Sequence, residues 1–349
     1  MLLIESNNFM TSSNLIYDTG GYKWSTDYPG LALSVDDSPS SFRQIAKIFG
    51  KDINPLIPDF YTNSANVLSI DPPWCFYIGK QKFLTMVDAY CEKHDEFFKN
   101  NDRLKIEMHI KISQFLKKLK PAKYSLSGLN VQELDRHIQS HITPNLEDGY
   151  LKTPIYSRTD TKTGRLKVVS GPNVLTMHSG LRKGLQEGYS IDFISMEPNL
   201  LLALQGHQPK IDIYETIRKD LFNDQISRTK VKIATMASLY GSGREDKIAK
   251  TISDYFGCEK MVLSLEKRVV DDTIKNEYGR LLNLNGARGR HLLSLWLQSS
   301  AADGAIYGFS NFYKQCNIIP HWIIHDGLIF IYRQEPSQIK ELDIGLGIN

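Results

Sequence analysis

The segment from Ile318 to Tyr332 leaves the chain little conformational choice. It reads Ile318-Ile319-Pro320-His321-Trp322-Ile323-Ile324, then His325-Asp326-Gly327, then Leu328-Ile329-Phe330-Ile331-Tyr332. β-Branched and aromatic residues dominate both flanks, and Asp-Gly between two such runs is a strong signal for a tight hairpin. The fold must therefore contain an antiparallel strand pair. Asp326 belongs at its turn tip with the carboxylate exposed. Taken alone, such an aspartate is an ordinary turn residue.

A second stretch, Ile191-Asp192-Phe193-Ile194-Ser195-Met196-Glu197, follows the turn-like Gly188-Tyr189-Ser190. Up to Asp192 the pattern suits a strand. Pro198 suits the first turn of a helix, which Leu200 to Leu204 continues. Asp192 is then expected at a strand end, with its carboxylate free to leave the sheet. A hard cation such as Mg²⁺ favours oxygen ligands of this kind. The competing reading is a helix N-cap.

The third informative stretch runs from Arg228 to Tyr240. Arg228, Lys232, Met236 and Tyr240 fall four apart, so a helix places them on one stripe. Two cations, one thioether and one tyrosine make a poor core face. They suit a nucleotide, with cations on phosphates and Met236 and Tyr240 over base and sugar. Gly241 and Gly243 are expected to end the helix. An amphipathic helix with ordinary surface cations remains the alternative.

Elsewhere the reading concerns organisation. Leu31 to Val35 and Cys75 to Ile78 read as strands, and Phe42 to Phe49 as a short helix. Gln81 to Lys120 reads as two helices broken at Asn100-Asn101-Asp102. On the second, Leu104, Met108, Ile112, Phe115, Leu116 and Leu119 make the expected apolar stripe, with Lys105, Lys111, Lys117, Lys118 and Lys120 largely off it. A basic face of this kind could track a phosphate backbone or simply be solvated. Thr161-Lys162-Thr163-Gly164-Arg165-Leu166 reads as a turn between strands, and His291 to Tyr313 as one long helix.

The 349 residues carry a formal charge of +3, too mild to argue for or against nucleic acid. Four cysteines, at 75, 91, 258 and 316, show no paired metal spacing and suit free thiols in a reducing compartment. No apolar run approaches membrane-spanning length. A cytoplasmic protein is expected, with no membrane partner.

In this order, the stretches between about 150 and 335 resemble the family A DNA polymerases, the DNA polymerase I family. Thr161 to Leu166 is similar to the Thr-x-Thr-Gly-Arg-Leu segment ahead of motif A. Asp192-Phe193 with Glu197 resembles motif A. Arg228, Lys232, Tyr240 and Gly241 resemble motif B, and His325-Asp326 resembles motif C. Gln298 with Ala301-Ala302-Asp303 is similar to the helix preceding that last motif. Gly279-Arg280 and the loop from Asn285 to Arg290 lie where the family has an Arg-rich stretch.

The resemblance implies an α+β right-hand fold with an antiparallel-sheet palm, helical fingers and a reduced helical thumb. Its expected partition is 1–80, an extension packing on the palm; 81–145, the thumb; 146–205, palm with motif A; 206–270, fingers; and 271–349, palm with motif C. It implies template-directed addition of dNTPs to a primer 3′-hydroxyl, with DNA primer-template as partner. Two Mg²⁺ ions, or Mn²⁺, would be held by Asp192, Asp326 and the Phe193 carbonyl. Arg228 and Lys232 would grip the triphosphate, and Lys232 would protonate the leaving group. Met236 would stack on the base pair, and Glu197 with Tyr240 would exclude a ribose 2′-hydroxyl. Arg165, Asn173, Arg182, Arg288, Gln298 and His325 would hold DNA. The chain is too short for a proofreading domain plus thumb, so no nuclease and a processivity or replication partner protein are expected.

Departures are specific. Gly327 stands where motif C has glutamate, and Asn199 where motif A has arginine. Met236 stands where motif B has phenylalanine, as in single-subunit RNA polymerases, and Tyr214 in Asp212-Ile213-Tyr214 where the family has histidine. A primer-making or RNA-synthesising relative, or an inactive DNA-binding fold, are the alternatives.

Overall fold

The computed structural model describes residues 1–333 apart from 10, 19–20, 28–30, 36–40, 72, 130, 187 and 243–245. Gly243 thus lies outside the described residues, as does the segment 334–349 of the expected second palm portion. The chain mixes helices with several small sheets and divides into two compact units, Met1–Gln114 and Phe115–Asn349. The division falls within the 81–145 segment.

The first unit begins with strands β1 (Leu2–Ile4), β2 (Asn14–Asp18), β3 (Gly21–Ser25) and β4 (Leu33–Ser34). They form one sheet in the order β3-β2-β1-β4, with β4 parallel to β1 and the other pairs antiparallel. Helices α1 (Phe42–Ile48), α2 (Asp59–Val67), α3 (Trp74–Tyr77), α4 (Lys80–Asn100) and α5 (Arg103–Leu116) follow. α4 buries Phe83, Val87, Tyr90, Cys91, His94 and Phe97, one helical face, into a core with Leu2, Leu15, Leu33 and Phe42. Asp102 starts α5, its Oδ1 accepting from the backbone N–H of Leu104 at 2.9 Å.

Two sequence expectations are corrected here. Cys75 to Ile78 is not a strand but lies in and just beyond α3, where the Pro73 carbonyl accepts from the N–H groups of Phe76 and Tyr77. Four residues are too few for periodicity to separate strand from turn, and the fixed φ of proline favours the turn. On α5 the stripe counted from Leu104 starts out of phase. Leu104 is 71% exposed, whereas Ile106, His109, Ile110 and Ser113 are buried together with Ile112 and Phe115.

The second unit places its longest helix against its main sheet. In chain order come β5 (Ala122–Lys123), α6 (Val131–His137), β6 (Leu146–Glu147), β7 (Tyr150–Leu151), β8 (Ile155–Ser157), β9 (Lys167–Ser170) and β10 (Tyr189–Asp192). Then follow α7 (Met196–Leu204), α8 (Ile213–Phe222), α9 (Arg228–Tyr240), α10 (Lys247–Tyr255) and α11 (Cys258–Glu266). β11 (Thr273–Lys275), β12 (Leu281–Asn283), α12 (Gly289–Gln315), β13 (Ile318–Ile324) and β14 (Gly327–Tyr332) close the unit.

The main sheet is antiparallel, in the order β10-β14-β13. β13 and β14 form the hairpin that the sequence demands, with Ile324 opposite Gly327 and His325-Asp326 as its two-residue turn. Register in β10 sets Asp192 opposite Gly327, one residue past Asp326. Two residues from distant parts of the chain are thereby made neighbours by strand pairing alone. Leu292, Leu293, Trp296, Leu297, Phe309 and Phe312 of α12 are buried, and the Phe312 ring meets Phe330 of the hairpin edge-on, with centroids 5.2 Å apart. Tyr156 of β8 is fastened to β13, its hydroxyl donating to the Ile323 carbonyl at 2.8 Å and accepting from the Ile323 N–H at 3.0 Å.

Candidate active site

Asp192 ends β10, and the backbone then turns sharply through Ser195, whose φ of 52° is left-handed. The N–H of Phe193 donates to the Asp326 carbonyl at 3.1 Å, tying the strand end to the hairpin tip. Asn199, where the family pattern has arginine, stabilises the turn that follows. Its side-chain amide donates to the carbonyls of Ile194 at 2.9 Å and Lys210 at 3.0 Å, and its oxygen accepts from the Lys210 N–H at 2.8 Å.

Both carboxylates reach the surface at this junction, Asp192 exposed and Asp326 half-buried. Partial burial and the neighbouring Asp326 charge push the Asp192 carboxyl above the usual carboxylate range. Gly327 keeps the junction open, since a Cβ there would lie 3.4 Å from Asp192 Oδ1. Two crowded like charges of oxygen type suit a hard divalent cation. Among the described residues no three His, Cys, Asp or Glu side chains gather at one point, so such an ion would draw its remaining ligands from backbone, water or substrate oxygens.

A cavity of about 360 Å³ opens beside Asp326. Its rim and walls include Arg165, Glu197, Met236, Tyr240, Gln298 and His325. Ala301, Ala302 and Ala305 of α12 form a wall of small residues that leaves the cavity room. Within it, one oxygen of Glu197 accepts from the Tyr240 hydroxyl and from Arg165 Nη2, each at 3.1 Å. Burial, then the Glu197 charge, raises Tyr240 to about 12.

α9 delivers Met236 and Tyr240 to the cavity because Ser227 caps its start, accepting from the Lys230 N–H at 3.2 Å, and Gly241 ends it at φ 79°. About one and two turns before Met236 on the same stripe, Lys232 and Arg228 are exposed and lie outside the cavity lining. Arg228 Nε donates to Asp212 Oδ2 at 2.7 Å, and both cations stand over the ring of Tyr214, at 5.4 and 6.0 Å from its centroid.

The remaining expected residues do not line this cavity. Asn173 lies half-buried in the loop after β9, and Arg182 sits in a short 3-10 helix with its Nε buried and unpartnered among the described residues. Arg288 pairs with Asp272 at 2.8 Å and borders a separate cavity with Lys162 and His291.

Sequence reasoning passed over Arg158. It joins Arg280, Asn276 and Asp303 in a buried cluster behind the cavity wall. The available signal was Asp303 itself, one carboxylate inside the otherwise uncharged stretch Leu292 to Tyr313, which a buried helix must pair with cations.

No protein-family profile matches the chain, and no curated protein does. Among solved structures, the chain is similar to the POL domain of Pol1 from M. smegmatis in complex with DNA primer-template and dNTP, at 17% identity and a TM-score of 0.43. The similarity covers 68% of this chain and 49% of that one, so the chain spans about half the length of the structure it matches. Among the described residues no helix is long and apolar enough to cross a membrane.

Proposed function

We propose that the second unit is a template-directed DNA polymerase that adds deoxynucleotides to a primer 3′-hydroxyl. The observation that carries this reading is the register of β10 on the hairpin. It brings the carboxylates of Asp192 and Asp326 together beside a cavity that also holds Arg165, Glu197 and Tyr240. On this reading β10, β13 and β14 are the palm sheet and α8 to α11 the fingers.

Asp192 and Asp326 would hold Mg²⁺, which when bound supplies charge neutralisation to the reacting phosphate. The rest falls to the chain's own side chains. Phosphoryl transfer needs positioning and electrostatic stabilisation more than covalent help. The primer 3′-hydroxyl gives up its proton to water, and its oxygen forms a bond to the α-phosphorus as the bond from that phosphorus to the pyrophosphate oxygen breaks. Arg228 and Lys232 hold the triphosphate from the exposed end of the α9 stripe, and Lys232 gives its proton to the departing pyrophosphate. Met236 and Tyr240 cover base and sugar. Glu197, held by Tyr240 and Arg165, occupies the space of a ribose 2′-hydroxyl and favours deoxynucleotides.

Primer extension on a primed template with Mg²⁺ tests the reading. Asp326→Asn is expected to lower extension by roughly 10²–10³-fold or more while DNA affinity stays within about 2-fold. Unchanged extension by this variant would refute the assignment. An RNA-synthesising activity is the second reading, favoured by Met236 and Gly327. Parallel extension with rNTPs and dNTPs separates the two.

A further inference from the structure

Asp303 turns away from the cavity-lining face of α12 and is fully buried. It receives Arg280 bidentately, Nε on Oδ2 and Nη2 on Oδ1, each at 2.8 Å. Arg158 Nη2 donates to Oδ1 at 2.8 Å and Asn276 Nδ2 to Oδ2 at 2.9 Å. Two guanidiniums thus share one carboxylate in the interior. Burial presses Arg158 down to about 10 despite the attraction of Asp303. Well-packed apolar residues commonly stabilise a core as well as such an ion cluster does, so stability alone is a weak account of it.

What rests on Arg280 supplies a better one. Its Nη1 donates to the Arg158 carbonyl at 2.9 Å, which fastens the start of the turn that follows β8. Further along that turn, Gly164 lies directly on the same guanidinium, and a Cβ there would overlap its Cζ and Nε. Thr161 Oγ1 donates to the Arg165 carbonyl at 2.7 Å, closing the loop on itself. The next side chain out is Arg165, which reaches Glu197 in the cavity.

We propose that Arg280, held by Asp303, is a positioning residue: it is the seat on which the 158–165 turn rests, and it thereby sets Arg165 against Glu197 and Tyr240. Gly164 is glycine because the main chain must lie flat on a guanidinium. What the cavity binds rests on the polymerase reading, but the seating does not.

The test compares Gly164→Ala with Gly149→Ala in the full chain. Both glycines have positive φ, 72° and 79°, but nothing lies within 4 Å of a Cβ at Gly149. Hydrogen exchange of the 158–166 amides is expected to rise at least 10-fold in Gly164→Ala and to stay unchanged in Gly149→Ala. Equal exchange in the two variants, or no rise in the first, overturns the proposal. In primer extension, Gly164→Ala is expected to raise the nucleotide KM, and Gly164→Ala/Arg165→Ala to be no worse than Arg165→Ala alone. Multiplicative effects in that cycle also overturn it. A wild-type protein that extends no primer refutes the polymerase reading and leaves the exchange experiment to decide the seating.

Discussion

Asp192 is held where its charge is least welcome, at a strand end facing a second carboxylate. Its raised pKa means that the native state binds a proton more readily than the unfolded chain. The stability this group contributes is present below the unfolded pKa and is lost as pH rises through the raised value. In metal-free protein, Asp192→Asn is therefore expected to raise Tm at pH 7, with wild type and variant converging in acid. Solvent screening keeps the relief under about 1 kcal/mol, or at most about 2 °C. Mg²⁺ is expected to raise Tm in the wild type and to lose that effect in the variant. A variant that melts lower at pH 7, or keeps its response to Mg²⁺, refutes the account. Glu197 carries a separate prediction. Its carboxylate is the shared acceptor of Arg165 and Tyr240. Glu197→Ala is expected to lower discrimination against ribonucleotides by roughly 10–100-fold, read as the ratio of kcat/KM for dNTP and rNTP.

At the scale of the element, α9 combines a cavity end with an exposed cationic end. Lys232→Ala is expected to lower kcat/KM for the nucleotide by roughly 10–100-fold, the size of a lost charge-assisted hydrogen bond, with kcat falling as well as KM rising and DNA affinity within about 2-fold. A defect confined to DNA binding would contradict it. The helix terminus is also constrained. Gly241 has φ 79°, and a Cβ there would come within 2.6 Å of Arg290 Cβ. Arg290 in turn donates from Nη1 to the Ser238 carbonyl at 3.0 Å. Gly241→Ala is expected to destabilise the chain by about 1–3 kcal/mol in urea denaturation. This helix was legible in the sequence because its four-residue stripe and terminal glycine agree, although its Ser227 cap was not read there. The hairpin from Ile318 to Tyr332 was legible for the same reason, its turn and its flanks pointing one way. α3 was not, since four aromatic-rich residues satisfy strand and turn patterns alike. The phase of α5 was missed because His109 and Ser113 are buried there, and polar residues on a core face defeat a stripe drawn from apolar ones. The cavity could be anticipated in its named polar residues. The burial of Arg158 against Asp303 could not, because a lone arginine in a polar stretch carries no pattern until Asp303 is brought to it.

For the second unit as a whole, three segments far apart in sequence meet at one buried carboxylate. Asp303→Ala would leave the Arg158 and Arg280 guanidiniums facing each other without the carboxylate they share. The expected loss is about 3–5 kcal/mol, seen in urea unfolding as a lower midpoint; a loss under 1 kcal/mol would show that water reaches the site. The hairpin tip has the opposite character. His325 is exposed and holds a φ of 56°, a conformation that a branched-off Cβ resists. Glycine there would relieve that resistance, so His325→Gly is a change that could make the polypeptide harder to unfold. The histidine ring, however, borders the cavity. A mutational scan that scores abundance and turnover separately would then find position 325 in an uncommon quadrant, where cells accumulate more protein and each molecule does less.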